Sequence, residues 1–191
     1  MKLIVTVDTE ADNQWRRGAP LTLDNVGRVP ELQRMCARFG VRPTYLVTSE
    51  VARDPGPVQI LSPLWEGDAA EVGAHLHPWT TPPFADAPGR RVNDEVHAFP
   101  SELETDLLAA KLDTLTNEIT AAFGRRPTAY RAGRFGLDAR SLRLLRELGY
   151  TVDSSVTPGV SWSRVRKGTI GGPDYVDAPL APYRPLDSDI L

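Results

Sequence analysis

The chain has 191 residues, 41% apolar and 25% charged, with 22 basic and 25 acidic side chains and a net charge of −3. That length suits one domain with a real core, and the apolar content excludes a disordered chain. No apolar run approaches the roughly 18 residues that span a bilayer, and the charges are spread, so neither a membrane span nor a nucleic-acid partner is expected.

Met1-Lys2-Leu3 leads into a strand rather than a secretory leader, and the single cysteine, Cys36, excludes an intrachain disulfide and a thiolate zinc cluster. Cys36 is expected to be a buried core thiol, and the setting reducing and cytoplasmic. Leu3-Ile4-Val5-Thr6-Val7 is a β-branched apolar run, the pattern of a parallel strand buried on both faces. Val29, Leu32, Met35, Cys36 and Phe39 have helical spacing that Gly40 ends. Thr44 to Val47 reads as the second strand, and Pro57 to Trp65 as a helix that Pro63 keeps short. Glu71 to His75 reads as the third strand, weakened by Gly73. The polar stretch from Pro78 to Pro100 is too long for an ordinary connection and is expected to be a functional loop.

The longest helix is expected to open on a capping box of Ser101 with Glu104. It carries Leu103, Leu107, Leu108, Leu112, Leu115 and Ile119 on one face and ends at Gly124. Thr128-Ala129-Tyr130 reads as the fourth strand. Asp138 caps a helix that stops at Gly149, and Tyr150-Thr151-Val152 reads as the fifth strand. This alternation predicts a parallel α/β sheet, closed as a barrel or open and doubly wound. No dinucleotide fingerprint or phosphate loop follows any strand. After Asp153 regular patterning fades, and the fold is expected to be incomplete at its C-terminus.

Ligands bind where parallel strands end. Those ends carry Asp8 and Glu10, Thr48 and Glu50, His75 and His77, Arg131, and Asp153. Thr48 and Glu50 read as ordinary polar loop residues. His75-Leu76-His77 places two imidazoles i, i+2, on one face if strand geometry persists. Such a pair can chelate one divalent cation, or can be structural. A carboxylate from Asp8 or Glu10 would complete a two-histidine, one-carboxylate set with positions left open, and zinc, cobalt, nickel or iron would suit it. One acid then binds metal while the other takes a proton from water; alternatively, Glu10 opens a solvated loop with Asp12. His97 reads as a solvated loop residue. Arg131 ends a strand, and its planar fork suits a carboxylate, whereas Arg134 fits the surface. Asp153 would brace Arg131 or a histidine. Trp15, Trp79 and Phe135 flank these loops as sugar-binding walls, lids or core anchors.

Four stretches together resemble the polysaccharide deacetylase family, the NodB homology domain of carbohydrate esterase family 4, and its WalW-like branch in particular. They are Thr6-Val7-Asp8-Thr9-Glu10, Gly73-Ala74-His75-Leu76-His77-Pro78-Trp79, Tyr130-Arg131-Ala132-Gly133-Arg134-Phe135-Gly136 and Val152-Asp153-Ser154-Ser155-Val156. The resemblance implies one catalytic domain over 1–191, an irregular (β/α) barrel, one divalent metal, zinc first, and hydrolysis of an N- or O-acetyl group on a carbohydrate or sugar conjugate. By the match Asp8 is the general base, Glu10 and His75 bind metal with His77 as second histidine, and Arg131 orients the base. Asp153 joins the catalytic set, and Trp15, Trp79, Arg134 and Phe135 are the candidate substrate-binding residues. Three departures stand out: Asp-Thr-Glu replaces the usual adjacent Asp pair, His-x-His replaces His-x-x-x-His, and the C-terminal motif whose histidine protonates the leaving amine has no counterpart before Leu191. Rival expectations are a metal-independent amidase using Asp8 and His75, and an inactive carbohydrate-binding or regulatory domain.

Overall fold

The computed structural model describes residues 3–13, 20–84, 99–163 and 171–185; Trp15, His97 and most of the Pro-rich stretch lie outside the described residues. Five parallel strands, β1 (Thr6–Thr9), β2 (Thr44–Val47), β3 (Glu71–Leu76), β4 (Ala129–Ala132) and β5 (Val152–Asp153), pair in sequence order. Helices α1 (Val29–Arg38), α2 (Ser49–Arg53), α3 (Pro55–Glu66), α4 (Thr105–Phe123) and α5 (Ala139–Glu147) fill the connections. The expected α/β architecture with a parallel sheet is present, and among the described residues the ladder runs from β1 to β5 with no pairing between those two.

One face of the sheet is the core. Tyr45, Val47, Val72, Ala74, Leu76, Tyr130 and Ala132 are buried there against Leu61, Trp65, Leu108, Leu112, Leu115, Ile119 and Leu145 from the helices. Burial of this kind, about 25 cal/mol per Å² of apolar surface, is the main term holding the layers together. Thr6, Asp8, Leu46, Gly73, His75 and Arg131 alternate with those residues and point to the opposite face. At the N-terminal half of that face is a cavity of about 480 Å³ bordered by Ile4, Thr6, Leu46, Ala129, Val152 and Leu180.

Several boundaries differ from the sequence expectation, each for a local reason. The first strand is Thr6–Thr9 rather than Leu3 to Val7. Its ladder starts where β2 begins, just after Pro43, which has no N–H to give, and Leu3 and Ile4 stay 72% and 74% exposed. Asp8 therefore lies inside the strand. The glycine in β3 is required: a Cβ on Gly73 would sit 2.6 Å from Leu46 Cδ2 and 2.7 Å from the Ala129 carbonyl.

Pro63 is accommodated inside α3, whose start is capped by the Asp54 carboxylate accepting from Gly56 N–H at 2.8 Å, and α2 was not anticipated. The Ser101–Glu104 capping box does not form. Leu103 is drawn into the core in an extended conformation, a 3₁₀ turn spans Pro100–Glu102, and α4 starts at Thr105. Asp138 does cap α5, accepting from Ser141 N–H at 2.7 Å. Cys36 is buried as expected.

Candidate metal centre and active site

The backbone that carries Glu10, His75 and His77 is set by ladder register. β1 and β3 flank β2, with Thr9 beside Val47 and Val47 beside Ala74, so Glu10 leaves β1 level with His75 near the end of β3. Glu10 follows β1 directly, and His75 and His77 straddle the end of β3. Glu10 Oε2 is 3.3 Å from His75 Nε2 and 3.1 Å from His77 Nε2, and the two Nε2 atoms are 3.0 Å apart. Donors about 2.0–2.2 Å from one tetrahedral cation stand roughly 3.3–3.6 Å from each other. The donor set thus fits a divalent cation with little movement, and among the described residues it is the one such group. The i, i+2 arrangement of the histidines holds, although His77 lies one residue past the strand.

Proton positions support the fit. His75 Nδ1 is 2.9 Å from the Arg131 carbonyl oxygen. A carbonyl only accepts, so Nδ1 carries a hydrogen and Nε2 is the nitrogen left to face the centre. Burial holds the His77 pKa below its ordinary value, and the neighbouring His75 pushes the same way, against the opposing carboxylates of Glu10 and Glu50. Both rings are buried, at 3% and 1% exposure, and the Trp79 ring stacks on His77 at 4.4 Å and 21°.

Beside this centre stands a second device. Arg131 Nη1 donates to Asp8 Oδ1 at 2.6 Å, Nη2 donates to Thr6 Oγ1 at 2.6 Å, and Nε donates to the Ser154 carbonyl at 3.1 Å. Every guanidinium nitrogen has a partner, which fixes the fork and through it the Asp8 carboxylate. Arg131 thus serves both halves of the site, its side chain holding the acid of β1 and its carbonyl fixing the tautomer of His75. Glu10 is in the candidate cation-ligand group and Asp8 is outside it, while Asp12 accepts from the Thr22 hydroxyl and from Asn25 N–H.

The turn after β4 has a steric requirement. A Cβ on Gly133 would collide with the Leu76 carbonyl oxygen and lie 2.7 Å from His77 Cδ2, so only glycine lets β4 leave the sheet against the second histidine. Arg134 and Phe135 follow with φ of 52° and 62°, the left-handed region that non-glycine residues rarely occupy. The Arg134 guanidinium lies 5.7 Å over the Trp79 ring, and Phe135 stacks on Trp162 at 5.4 Å and 18°.

Two expectations are corrected. Asp153 braces neither Arg131 nor a histidine by direct contact. It pairs with Tyr130 rather than Arg131, which puts its side chain on the helix-facing side, where both carboxylate oxygens accept from Ser155, at 2.9 Å from N–H and 2.6 Å from Oγ. Burial raises its pKa to about 6, with Ser155 and the Arg131 charge opposing. Trp79 is 6% exposed and serves as a packing plate for His77, not as an open sugar wall. Trp15 lies outside the described residues.

Sequence reasoning passed over Thr6, although it shares the Asp8 face by strand parity, and Trp162. It also passed over Lys111, whose signal is a charge inside the apolar stripe of α4. The Lys111 Nζ is buried and donates to the carbonyls of Pro78, Thr81 and Pro83 at 3.0, 2.5 and 2.7 Å, tying down the segment that follows His77. Burial pushes its pKa down to about 8, while three acceptors favour the ammonium.

The sequence matches no protein-family model and no characterised protein. Solved structures match the fold. A protein of Mycobacterium smegmatis assigned as a polysaccharide deacetylase is 20% identical with a TM-score of 0.55, over 81% of this chain and 50% of its own. The chitin deacetylase of Colletotrichum lindemuthianum is 18% identical with a TM-score of 0.52, over 79% of this chain and 54% of its own. A carbohydrate esterase family 4 pseudoenzyme of Bacillus anthracis is 11% identical with a TM-score of 0.52, over 85% and 46%. The chain spans about half the length of these three structures. Its fold is that of the carbohydrate esterase family 4 polysaccharide deacetylases.

Proposed function

We propose that this chain carries the catalytic centre of a metal-dependent carbohydrate deacetylase of the WalW-like branch, hydrolysing an N- or O-acetyl group on a sugar or sugar conjugate. The carrying observation is the convergence of Glu10, His75 and His77 within 3.0–3.3 Å beside an arginine-held Asp8. Glu10, His75 and His77 would hold a divalent cation, zinc first, which when bound would supply Lewis acidity for a carbonyl oxygen and lower the pKa of water towards neutrality. Asp8 accepts the proton of the attacking water, and Arg131 keeps its carboxylate aimed. Phe135, stacked on Trp162, and Arg134 are the substrate-facing side chains of the β4 turn.

The test is reconstitution with zinc or cobalt followed by acetate release from N-acetylated sugars and oligosaccharides. One cation per chain and release that vanishes in His75→Ala and Asp8→Asn support the proposal. Full turnover in excess chelator would instead favour the metal-independent amidase. A second reading has an observation of its own: the fold is shared with a carbohydrate esterase family 4 pseudoenzyme. Glycan binding that survives Asp8→Asn, with no turnover on any acetylated sugar, would establish that binding role.

A further inference from the structure

Glu50 is the acidic side chain, among the described residues, whose two carboxylate oxygens are both shielded from solvent without a hydrogen-bond partner. A carboxylate in that state has lost its water and gained no donor, which is unfavourable unless a positive charge stands near. Its place in the fold says where that charge would be. Glu50 lies in the opening turn of α2, two residues past Thr48, which follows β2. β2 is the strand between β1 and β3, and Thr48 N–H donates to the Thr9 carbonyl at 3.2 Å, so the three chains leave the sheet side by side. Glu10, Glu50 and His77 therefore emerge from three adjacent strand ends. Asp8 has Arg131 at 2.6 Å and Glu118 has Arg53, whereas no cationic side chain among the described residues answers Glu50.

We propose that Glu50 is a positioning residue for the cation site, an acid with both carboxylate oxygens shielded from solvent, outside the ligand set of Glu10, His75 and His77, whose negative charge strengthens retention of a divalent cation. The inference rests on the reading of those three residues as ligands. Glu50 does not belong to the group of donor atoms within 4.8 Å of one another, so its action is through space, not as a fourth ligand. Outer carboxylates hydrogen-bonded to metal-binding histidines typically change affinity by about 10–100-fold, and the shielded charge of Glu50, acting through the field alone, is expected to fall in the same range.

Zinc and cobalt would be titrated into the full chain as wild type, Glu50→Gln, Glu50→Asp and the exposed control Glu31→Gln. Affinity would be read by competition with a chromophoric chelator, ligand geometry by the cobalt absorption spectrum, and stability by the thermal midpoint of the metal-free chain. Glu50→Gln is expected to bind one equivalent about 10–100-fold more weakly, with an unchanged cobalt spectrum and a metal-free midpoint equal to or above wild type. Glu50→Asp, which keeps the charge, should stay between wild type and Glu50→Gln, and Glu31→Gln should match wild type. Affinity of Glu50→Gln within about twofold of wild type, a lowered metal-free midpoint, or failure of that variant to fold would each overturn the role. A wild-type chain that binds neither metal would overturn the ligand reading beneath it, a result separate from any difference among the Glu50 variants.

Discussion

Along β3 and β4, Ala74, Leu76, Tyr130 and Ala132 point into the helices, while their sequence neighbours His75, His77 and Arg131 point to the other side. The helix-facing side is apolar and almost without solvent; Leu108, Leu112 and Leu115 of α4 are 0%, 1% and 0% exposed. The other side gathers an acid–arginine pair, two imidazoles and a second carboxylate near the C-terminal strand ends, and an apolar cavity at the opposite ends. Period-two alternation lets the same few residues of backbone serve both tasks. Stability is drawn from one set of side chains and chemistry from the other, so the two should respond separately to substitution.

The largest effect belongs to the reactive side. Arg131→Met removes the donors to Asp8 and Thr6 and should reduce acetate release by about 10²–10⁴-fold while the chain stays folded; an unfolded variant, seen by circular dichroism, would merge the two sides and break the comparison. On the helix-facing side, Leu112→Ala should lower unfolding free energy by about 2–5 kcal/mol in denaturant titrations. It should leave zinc affinity unchanged, and a parallel loss of affinity would count against the separation.

Asp153 sharpens the contrast through pH. Its pKa is about 6 when folded against an ordinary 3.8, so between these values the folded chain binds more protons than the unfolded one and stability falls as pH rises. Asp153→Asn removes that dependence. Its stability relative to wild type should improve between pH 4 and pH 7, by up to about 3 kcal/mol, and a relative stability that is flat across that range would show Asp153 to be ordinary. The smallest effect is expected where the two sides meet. Gly133→Ala crowds Leu76 and His77 and should cost about 1–3 kcal/mol of stability, together with weaker zinc binding, a joint loss measurable in one thermal series with and without metal.

The reactive side was legible wherever the signal was local. Asp8, Glu10, His75, His77 and Arg131 end β-rich runs, and parity within one strand places His75 and His77 together without knowledge of the partner strands. What depended on pairing between strands was not legible. Asp153 sits one register step from the position that would face Arg131, and no local pattern reports that step. Burial was also hidden: Trp79 and Glu50 look like loop residues, yet one is packed on His77 and the other has both carboxylate oxygens shielded from solvent. The Ser101–Glu104 capping box failed because Leu103 gains more from the core than from a helical turn. Lys111 was absorbed into a leucine stripe although its charge holds three carbonyls.

The central claim is that neighbouring strand ends deliver one carboxylate and two imidazoles to a common point. Its most direct test is the zinc content and affinity of the purified chain after reconstitution, compared with His75→Ala and Glu10→Gln. One zinc per chain in the wild type, with affinity falling by about 100-fold or more in His75→Ala and at least tenfold in Glu10→Gln, is the predicted result. Equal binding by all three proteins, or none by the wild type, would contradict it.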